Sequence, residues 1–148
     1  MIKIVPMNQS HVPQVAAMEK LCFGAAAWSE RSVASELNND LALWFVAEEN
    51  GAVVGYVGSQ TVFPETDMMN VAVLPERRRE GIAEVLIESL ITELKRMGSS
   101  CLTLEVRASN VPAISLYSKM GFHQAGRRPN YYRNPKEDAL ILRKEWEI

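Results

Sequence analysis

The spacing of hydrophobic and polar residues along the chain predicts its secondary structure. Residues 2–5 alternate between apolar and polar side chains, as a short strand does. Residues 11–22 place apolar side chains three and four positions apart, which is typical of an amphipathic helix, and Ser10 is its predicted N-cap. Ser29 is predicted to cap a second helix that continues to about Leu37.

The middle of the chain shows the two-residue period of strands. Residues 41–48 and 52–61 are strand-like, and Asn50-Gly51 between them favours a type I′ hairpin turn. A turn over residues 64–66 and another strand over residues 67–73 follow. Three consecutive antiparallel strands are therefore predicted.

The remainder of the chain predicts two more helices and three more strands. Because a helix over residues 82–94, ended by Gly98, connects the strand over 67–73 to one over 101–106, these two strands should lie parallel with a right-handed crossover. The predicted fold is therefore α+β, a mixed sheet flanked by helices. The last predicted elements are a helix over residues 111–120, capped by Asn110 and ended by Gly121, and strands over residues 122–128 and 138–144.

Composition narrows the class of protein. The 148 residues are 47% hydrophobic and 23% charged, the balance of a soluble globular protein, and we expect one domain over residues 1–148. A formal net charge of −2 and the lack of a long apolar run argue against a nucleic-acid or membrane partner. Cys22 and Cys101 form no CxxC motif, and His11 and His123 lack metal-ligand spacing. We therefore expect reduced thiols, no metal and a cytoplasmic location.

The segment from Val71 to Ala83 is the most informative part of the sequence. It runs from a strand end through a short turn to a helix N-terminus, where free backbone N–H groups and the helix dipole favour an anion such as phosphate. Gly81 and Ala83 leave room for a ligand to approach the backbone, and the neighbouring arginines add positive charge. From these residues alone, a solvated helix start rich in Arg and Glu is an equally good interpretation.

Two motifs resemble the GNAT family of acetyltransferases. Arg78-Arg79-Glu80-Gly81-Ile82-Ala83 is similar to the R/Q-x-x-G-x-G/A signature with which that family binds acetyl-CoA, and the predicted element order matches the GNAT fold over essentially the whole chain. Residues 104–110, Leu-Glu-Val-Arg-Ala-Ser-Asn, resemble the RimI branch, which acetylates the N-terminal alanine of a small-subunit ribosomal protein. Residues 28–30, 130–132 and 137–139 also resemble that branch. Ala83 departs from the glycine that many relatives carry, which would tighten the loop slightly.

The resemblance implies how acetyl-CoA would bind as co-substrate. The pyrophosphate would rest on the turn before the third helix. The pantetheine arm would lie in a splay between the fourth and fifth strands, bonded to the backbone of Val71 and Val73. Asn110 would contact acetyl-CoA near the start of the last helix. The contacts implied in this way are Val71, Ala72, Val73, Arg78, Arg79, Glu80, Gly81, Ile82, Ala83, Glu84 and Asn110.

Acetyl transfer from a thioester to an amine needs an unprotonated amine, a stabilised oxyanion and a protonated leaving thiolate. Glu105, late in the fifth strand, is the predicted base, and its alternative role is a surface ion pair. Tyr117 is the predicted acid, because a phenol keeps its proton at neutral pH and this one shares a helix face with Asn110. Its alternative role is packing. Because the sequence shows no activated nucleophile, we expect direct transfer without an acetyl-enzyme.

The resemblance also implies the second substrate. This would be the N-terminal segment of a ribosomal protein that begins with alanine, with Trp28, Tyr131 and Tyr132 forming a peptide slot in a monomer or weak dimer. Two other functions stay open: acetylation of a small-molecule amine or a lysine side chain, and a non-catalytic module that senses acyl-CoA. The joint presence of Glu105 and Tyr117 counts against the sensing module.

Overall fold

A computed structural model of the chain describes residues 1–147, so Ile148, the last residue of the predicted domain, lies outside the described residues. The strands are β1 (Lys3–Pro6), β2 (Ala42–Glu49), β3 (Ala52–Val62), β4 (Glu65–Val73), β5 (Cys101–Arg107), β6 (His123–Tyr132) and β7 (Glu137–Glu145). They form one sheet in the order β1-β2-β3-β4-β5-β7-β6. Neighbouring strands pair antiparallel, except that β4 and β5 are parallel, as predicted.

The α-helices of the described chain are α1 (Val12–Phe23), α2 (Glu30–Ser35), α3 (Ile82–Met97) and α4 (Val111–Lys119). The predicted order of strand, two helices, three strands, helix, strand, helix and two strands is confirmed. Among these helices, none is both long enough and apolar enough to cross a membrane.

The helices cover both faces of the sheet, because successive residues of a strand point to opposite sides. Ala47 of β2 packs in the core cluster that contains α3 and α4. Its neighbour Val46 packs in a second cluster with α1 and α2. The α3 helix is the centre of the first cluster, since its buried leucines and isoleucines run from Ile82 to Leu94 along one side. The fold therefore has three layers, with the sheet in the middle.

Several predicted turns and caps are confirmed. Asn50 and Gly51 have positive φ angles of 52° and 82°, as a type I′ turn requires. The Ser29 hydroxyl accepts a backbone N–H of the first α2 turn at 3.1 Å. The Asn110 side chain likewise accepts a backbone N–H of the first α4 turn at 3.3 Å. These short-range signals are correct because they depend on residues that are close in sequence.

Two local predictions are wrong. Ser10 does not cap α1, because Asn8 starts a 3₁₀ turn before the helix and its side chain accepts the Ser10 N–H at 2.9 Å. The predicted turn over residues 64–66 is too long, because Thr66 already lies in β4. There Thr66 pairs with Leu102 across the parallel ladder, and its hydroxyl lies 2.7 Å from the Ser99 hydroxyl. This pairing with a distant part of the chain extends the strand beyond its local signal.

Candidate active site

The parallel strands β4 and β5 run together for only a short distance. Glu65–Asp67 pairs with Cys101–Thr103, and beyond this ladder the described strands separate. An extra residue, Met69, interrupts the pairing of β4 with β3 as a β-bulge, which bends the strand. The sheet is therefore open between the C-terminal parts of β4 and β5, where the sequence resemblance places the pantetheine arm.

The backbone of β4 presents hydrogen-bonding groups to this opening. The Leu74 N–H donates to the Val54 carbonyl of β3 at 2.9 Å. Because backbone groups alternate between the two edges of a strand, Ala72 also faces β3, whereas Val71 and Val73 face the opening. The edge offered by Val71 and Val73 can receive an extended, amide-containing ligand as a neighbouring strand would.

The N-terminus of α3 lies directly after this edge. Its first intrahelical bond runs from the Val85 N–H to the Gly81 carbonyl at 3.1 Å, so the N–H groups of residues 82–84 precede the helical ladder. No side chain of the described residues caps this end. Arg79 and Gly81 have positive φ angles of 67° and 80°, which curl the preceding turn around the free N–H groups. Free donors and the positive end of the dipole together favour an anion.

The three arginines before α3 have different partners. Arg77 donates to Glu49 at 2.8 Å and to Glu80, so its charge is already balanced. Arg78 donates through Nε to the carbonyl of the last β4 residue at 3.2 Å, which ties the turn to the strand. Arg79 is exposed and makes no ion pair with residues 1–147. Arg79 is therefore the arginine of this group best placed to meet a phosphate.

Two cavities, of about 660 and 640 Å³, share a wall at the separated strands. The first contains the start of α3 and the edge of β4. The second contains Glu105, Tyr131 and Tyr132. The site thus has an anion-binding end and an end with ionisable side chains. The residues that line both cavities are Cys22, Phe23, Val71, Asn110, Ala113 and Tyr117.

Glu105 lies within a small electrostatic cluster. Its carboxylate is 3.7 Å from the Arg128 guanidinium, a long and partly exposed contact that contributes little stability and leaves the carboxylate open to a substrate. A side-chain hydrogen bond to Glu105, followed by burial, raises the pKa of Tyr131. Burial and then the charge of Glu105 raise the pKa of Asp67. The surface ion pair considered from the sequence is thus present, but it does not occupy the carboxylate fully.

Tyr117 separates the two ends of the site. Its side chain is buried and packs edge-on against Phe122, with ring centroids 5.5 Å apart. Burial raises the pKa of Tyr117 to about 12, with a smaller effect from Tyr132. The phenol therefore keeps its proton at neutral pH. Asn110, at the start of the same helix, lines the same two cavities, as their shared helix face predicts.

The hairpin between β6 and β7 supplies the aromatic wall of the second cavity. Tyr131 and Tyr132 meet edge-to-face with centroids 5.0 Å apart. The Arg107 guanidinium lies 4.5 Å from the centroid of the Tyr132 ring and donates to the carbonyls of Arg133 and Pro135 at 3.1 and 2.9 Å. Arg107 thus fixes the hairpin tip and one of its rings together.

Two sequence interpretations need correction. Trp28, predicted to form part of a peptide slot, does not line the second cavity: its half-buried ring packs edge-on against Trp44, with centroids 5.5 Å apart, beside the core under α1 and α2. Phe23 and Ala26 line the second cavity from that side instead. Cys22, expected in the core, is only half-buried and lines both cavities. All three cavity residues come from the end of α1 and the loop after it, and no local pattern indicates that this loop reaches β4.

Arg107 and Lys119 were also missed as lining residues. Arg107 stands inside the 104–110 motif, and Lys119 follows Tyr117 by two residues and lines the first cavity. Lys119 pairs with Glu84 at 3.0 Å, so it links α4 to the first turn of α3. Arg107 carried a usable signal, because residues i and i+2 of a strand share a face and Glu105 was already singled out. Lys119 did not, because residues i and i+2 of a helix point in different directions.

The open strand pair beside a free helix N-terminus can receive a ligand that combines an extended arm with phosphate groups. The chain belongs to the GNAT family of acetyltransferases, since the profile described as "Acetyltransferase (GNAT) family" matches residues 12–122. The prediction of an acetyl-CoA-dependent N-acetyltransferase with the GNAT fold is confirmed.

Individual relatives agree with this assignment. The chain is 41% identical over 120 residues, 80% of each chain, to the ribosomal protein bS18-alanine N-acetyltransferase of Escherichia coli strain K12. The crystal structure of the E. coli ribosomal-protein-S18-alanine N-acetyltransferase has a TM-score of 0.91 at 35% identity and covers 100% of this chain and 96% of that one. Arabidopsis thaliana NAA60, crystallised with acetyl-CoA, has a TM-score of 0.86 at 18% identity over 98% of both chains, a likeness of fold.

Proposed function

We propose that this protein transfers the acetyl group of acetyl-CoA to the α-amine of an N-terminal alanine, and that its substrate is ribosomal protein bS18. The observation that carries the proposal is that the anion-binding cavity and the Glu105 cavity share Tyr117 and Asn110. A carrier bound in one cavity and an amine in the other would meet at that wall. The E. coli relative named for this activity, aligned over 80% of the chain, supports the choice of substrate.

The lining of the first cavity fits acetyl-CoA. The diphosphate can accept hydrogen bonds from the N–H groups of residues 82–84, with Arg79 at the rim. The amide groups of the pantetheine arm match the backbone edge at Val71 and Val73, where the Val73 carbonyl also accepts from Arg78. This placement directs the thioester towards Tyr117.

Glu105 and Tyr117 can act as the base and the acid of this transfer. An N-terminal amine has a pKa of about 7.7–8.0, so a carboxylate can take its proton, directly or through water, without being a strong base. This frees the lone pair that attacks the thioester carbonyl, while a backbone N–H on the open edge of β4 stabilises the oxyanion. Tyr117, protonated at neutral pH, donates to the departing thiolate. The transfer is direct, with no acetyl-enzyme.

The second cavity suits an extended N-terminus. Phe23 and Ala26 bound it from the α1 side, and Tyr131 and Tyr132 bound it from the hairpin side. Rigid aromatic walls hold a peptide backbone with little loss of side-chain freedom. The amine of a lysine stands at the end of a four-carbon side chain, whereas the α-amine is attached directly to the backbone. A lysine bound with its backbone in the same place would therefore carry its nitrogen deeper into the cavity.

A peptide panel tests the proposal. Synthetic peptides with the N-terminal sequence of bS18, differing only in the first residue, are incubated with the enzyme and acetyl-CoA and read by mass spectrometry. We expect the alanine peptide to gain one acetyl group fastest. The matched control is the same peptide with its α-amine blocked and one free lysine.

Other results would contradict the proposal in different ways. Faster labelling of the blocked, lysine-containing peptide, or of a small amine alone, would assign the enzyme to the other substrates considered from the sequence. Binding of acetyl-CoA without transfer to any amine would indicate a sensing module instead.

A further inference from the structure

A fully buried carboxylate bonds to a residue that lines the second cavity, and the proposed chemistry does not use it. Glu19, on α1, has no exposed surface. Its carboxylate accepts the Trp28 N–H at 2.8 Å and the Asn70 side-chain amide at 2.9 and 3.1 Å. It also accepts the hydroxyl of Tyr56, which is itself fully buried. Burying a charged group costs free energy unless hydrogen-bond donors surround it, and here three donors do so.

The three donors belong to parts of the chain that are far apart in sequence. Trp28 lies near the end of the loop between α1 and α2, and this loop and the last residue of α1 contribute Ala26 and Phe23 to the second cavity. Asn70 follows the bulge at Met69, and both of these residues line the same cavity. The Glu19 carboxylate therefore connects the α1–α2 loop to the bulged part of β4, and both segments line the same cavity.

We propose that Glu19 is a positioning residue for the amine substrate: its carboxylate holds the α1–α2 loop and the bulge of β4 at the separation that admits an N-terminal peptide. This inference rests on the proposed function, because it concerns the cavity that would take the peptide. It assigns no contact between Glu19 and the reacting atoms. Its effect should fall on peptide binding more than on acetyl-CoA, because Ala26 and Asn70 line the second cavity and not the first.

The donors explain why an amide cannot replace the carboxylate. Trp28 and Asn70 both present N–H groups, and two carboxylate oxygens accept them together with the Tyr56 hydroxyl. Glutamine has the same shape but only one accepting oxygen, and its NH₂ group would face other donors. Oε1 accepts from both Trp28 and Asn70, whereas Oε2 accepts from Asn70 and Tyr56. If the amide oxygen of Glu19→Gln takes the Oε1 position, its NH₂ group faces the Asn70 amide, so the attachment of the β4 bulge is weakened.

The test compares Glu19→Gln with Glu36→Gln. Glu36 is the matched control, because it is also a buried carboxylate and accepts from Trp44 Nε1 at 3.2 Å and from the Asn39 amide at 3.1 Å, residues that line neither cavity. For Glu19→Gln we expect the KM for the alanine peptide to rise about tenfold, as loss of a hydrogen bond to a charged group predicts. The kcat at saturating peptide and the Kd for acetyl-CoA should stay near the wild-type values. Glu36→Gln should change stability only.

A second readout and a second variant keep the outcome decisive. Hydrogen–deuterium exchange should speed up around the β4 bulge at Met69 in Glu19→Gln and not in Glu36→Gln, whether or not the wild type acetylates peptides. If Glu19→Gln does not fold, Asn70→Ala, at a half-buried position, should raise the same KM by a smaller factor. An unchanged peptide KM in a folded variant, or a KM increase of equal size in Glu36→Gln, would overturn the inference. An inactive wild type would count against the proposed function, and the exchange comparison would then decide the role of Glu19.

Discussion

Glu105 is the residue whose chemistry can be tested most directly. In Glu105→Gln the carboxylate that would receive the ammonium proton becomes a neutral amide. Because the α-amine is increasingly protonated as pH falls, the variant should lose most activity at low pH and recover partly above the amine pKa of about 8. The measurement is the pH dependence of kcat/KM with the alanine peptide.

Glu65→Gln is the matched control for that experiment. Glu65 lies on β4 near Asp67. Burial raises the pKa of Asp67 most, and the charges of Glu105 and Glu65 raise it further. Glu65 itself lines neither cavity. Its removal should leave the pH profile unchanged. If Glu105→Gln also kept the wild-type profile, Glu105 would have no role as base.

The Tyr117 hydroxyl should affect turnover and not binding. In Tyr117→Phe the ring can keep its contact with Phe122, while the proton for the departing thiolate is lost. We expect kcat to fall by about 10²-fold, a typical contribution of a general acid, with the Kd for acetyl-CoA and the melting temperature nearly unchanged. Steady-state kinetics and calorimetric titration measure both quantities. A variant with full turnover would show that the tyrosine only packs.

At the scale of elements, α3 connects binding to fold stability. Gly81 and Gly98 flank this helix, both with left-handed φ angles, 80° and 93°, and both with open space where a Cβ would lie. Gly81→Ala and Gly98→Ala should therefore each cost about 1–2 kcal/mol of stability through backbone strain. Only Gly81→Ala should also weaken acetyl-CoA binding, by about tenfold, because the strain reshapes the turn around the free N–H groups.

The comparison of these two glycines separates strain from recognition. Thermal unfolding measures the loss of stability expected in both variants. Calorimetric titration with acetyl-CoA measures the loss of affinity expected only in Gly81→Ala. Equal affinities in the two variants would show that the α3 N-terminus does not hold the pyrophosphate.

The elements also show what the sequence could and could not predict. The apolar stripe of α3, the Asn50-Gly51 turn and the caps at Ser29 and Asn110 were predictable, because each depends on neighbours within a few residues. The parallel pairing of β4 and β5 was predictable because a helix connects the two strands. The buried position of Glu19 was not predictable, because its donors come from an inter-helix loop and two separate strands.

The same limit applies within the candidate site. The motif around Gly81 and the motif around Glu105 were visible as short strings of residues, and the structure brings both to adjoining cavities. Trp28 also belonged to a recognisable string, yet it packs on Trp44. A motif indicates which residues occur together in a family, whereas tertiary packing decides which of them reach the ligand.

At the scale of the whole molecule, exposed ion pairs should govern stability in acid. Hydrogen bonds from Arg77 lower the pKa of Glu49, the Asn130 N–H and then Arg127 lower that of Asp138, and His123 lowers that of Glu145. A carboxyl with a lowered folded-state pKa stabilises the protein above its unfolded pKa, and this contribution is lost as pH falls through the folded value. Asp67, whose pKa is raised, acts in the opposite direction.

The carboxyls whose pKa is lowered outnumber those whose pKa is raised. The melting temperature should therefore fall as pH drops from 6 to about 3, most steeply below about 4. Because these carboxyls are half-buried or exposed and remain open to solvent, high salt should flatten the dependence. Asp138→Asn provides the matched test: an amide oxygen can still accept the Asn130 N–H, but the ion pair with Arg127 is lost. The variant should melt slightly lower at neutral pH and lose less on acidification. A melting temperature that stays constant or rises towards pH 3 would mean that acids with a raised pKa, such as Asp67, dominate the pH dependence of stability. The ion pair of the β6–β7 hairpin would then contribute little to holding the hairpin that carries Tyr131 and Tyr132.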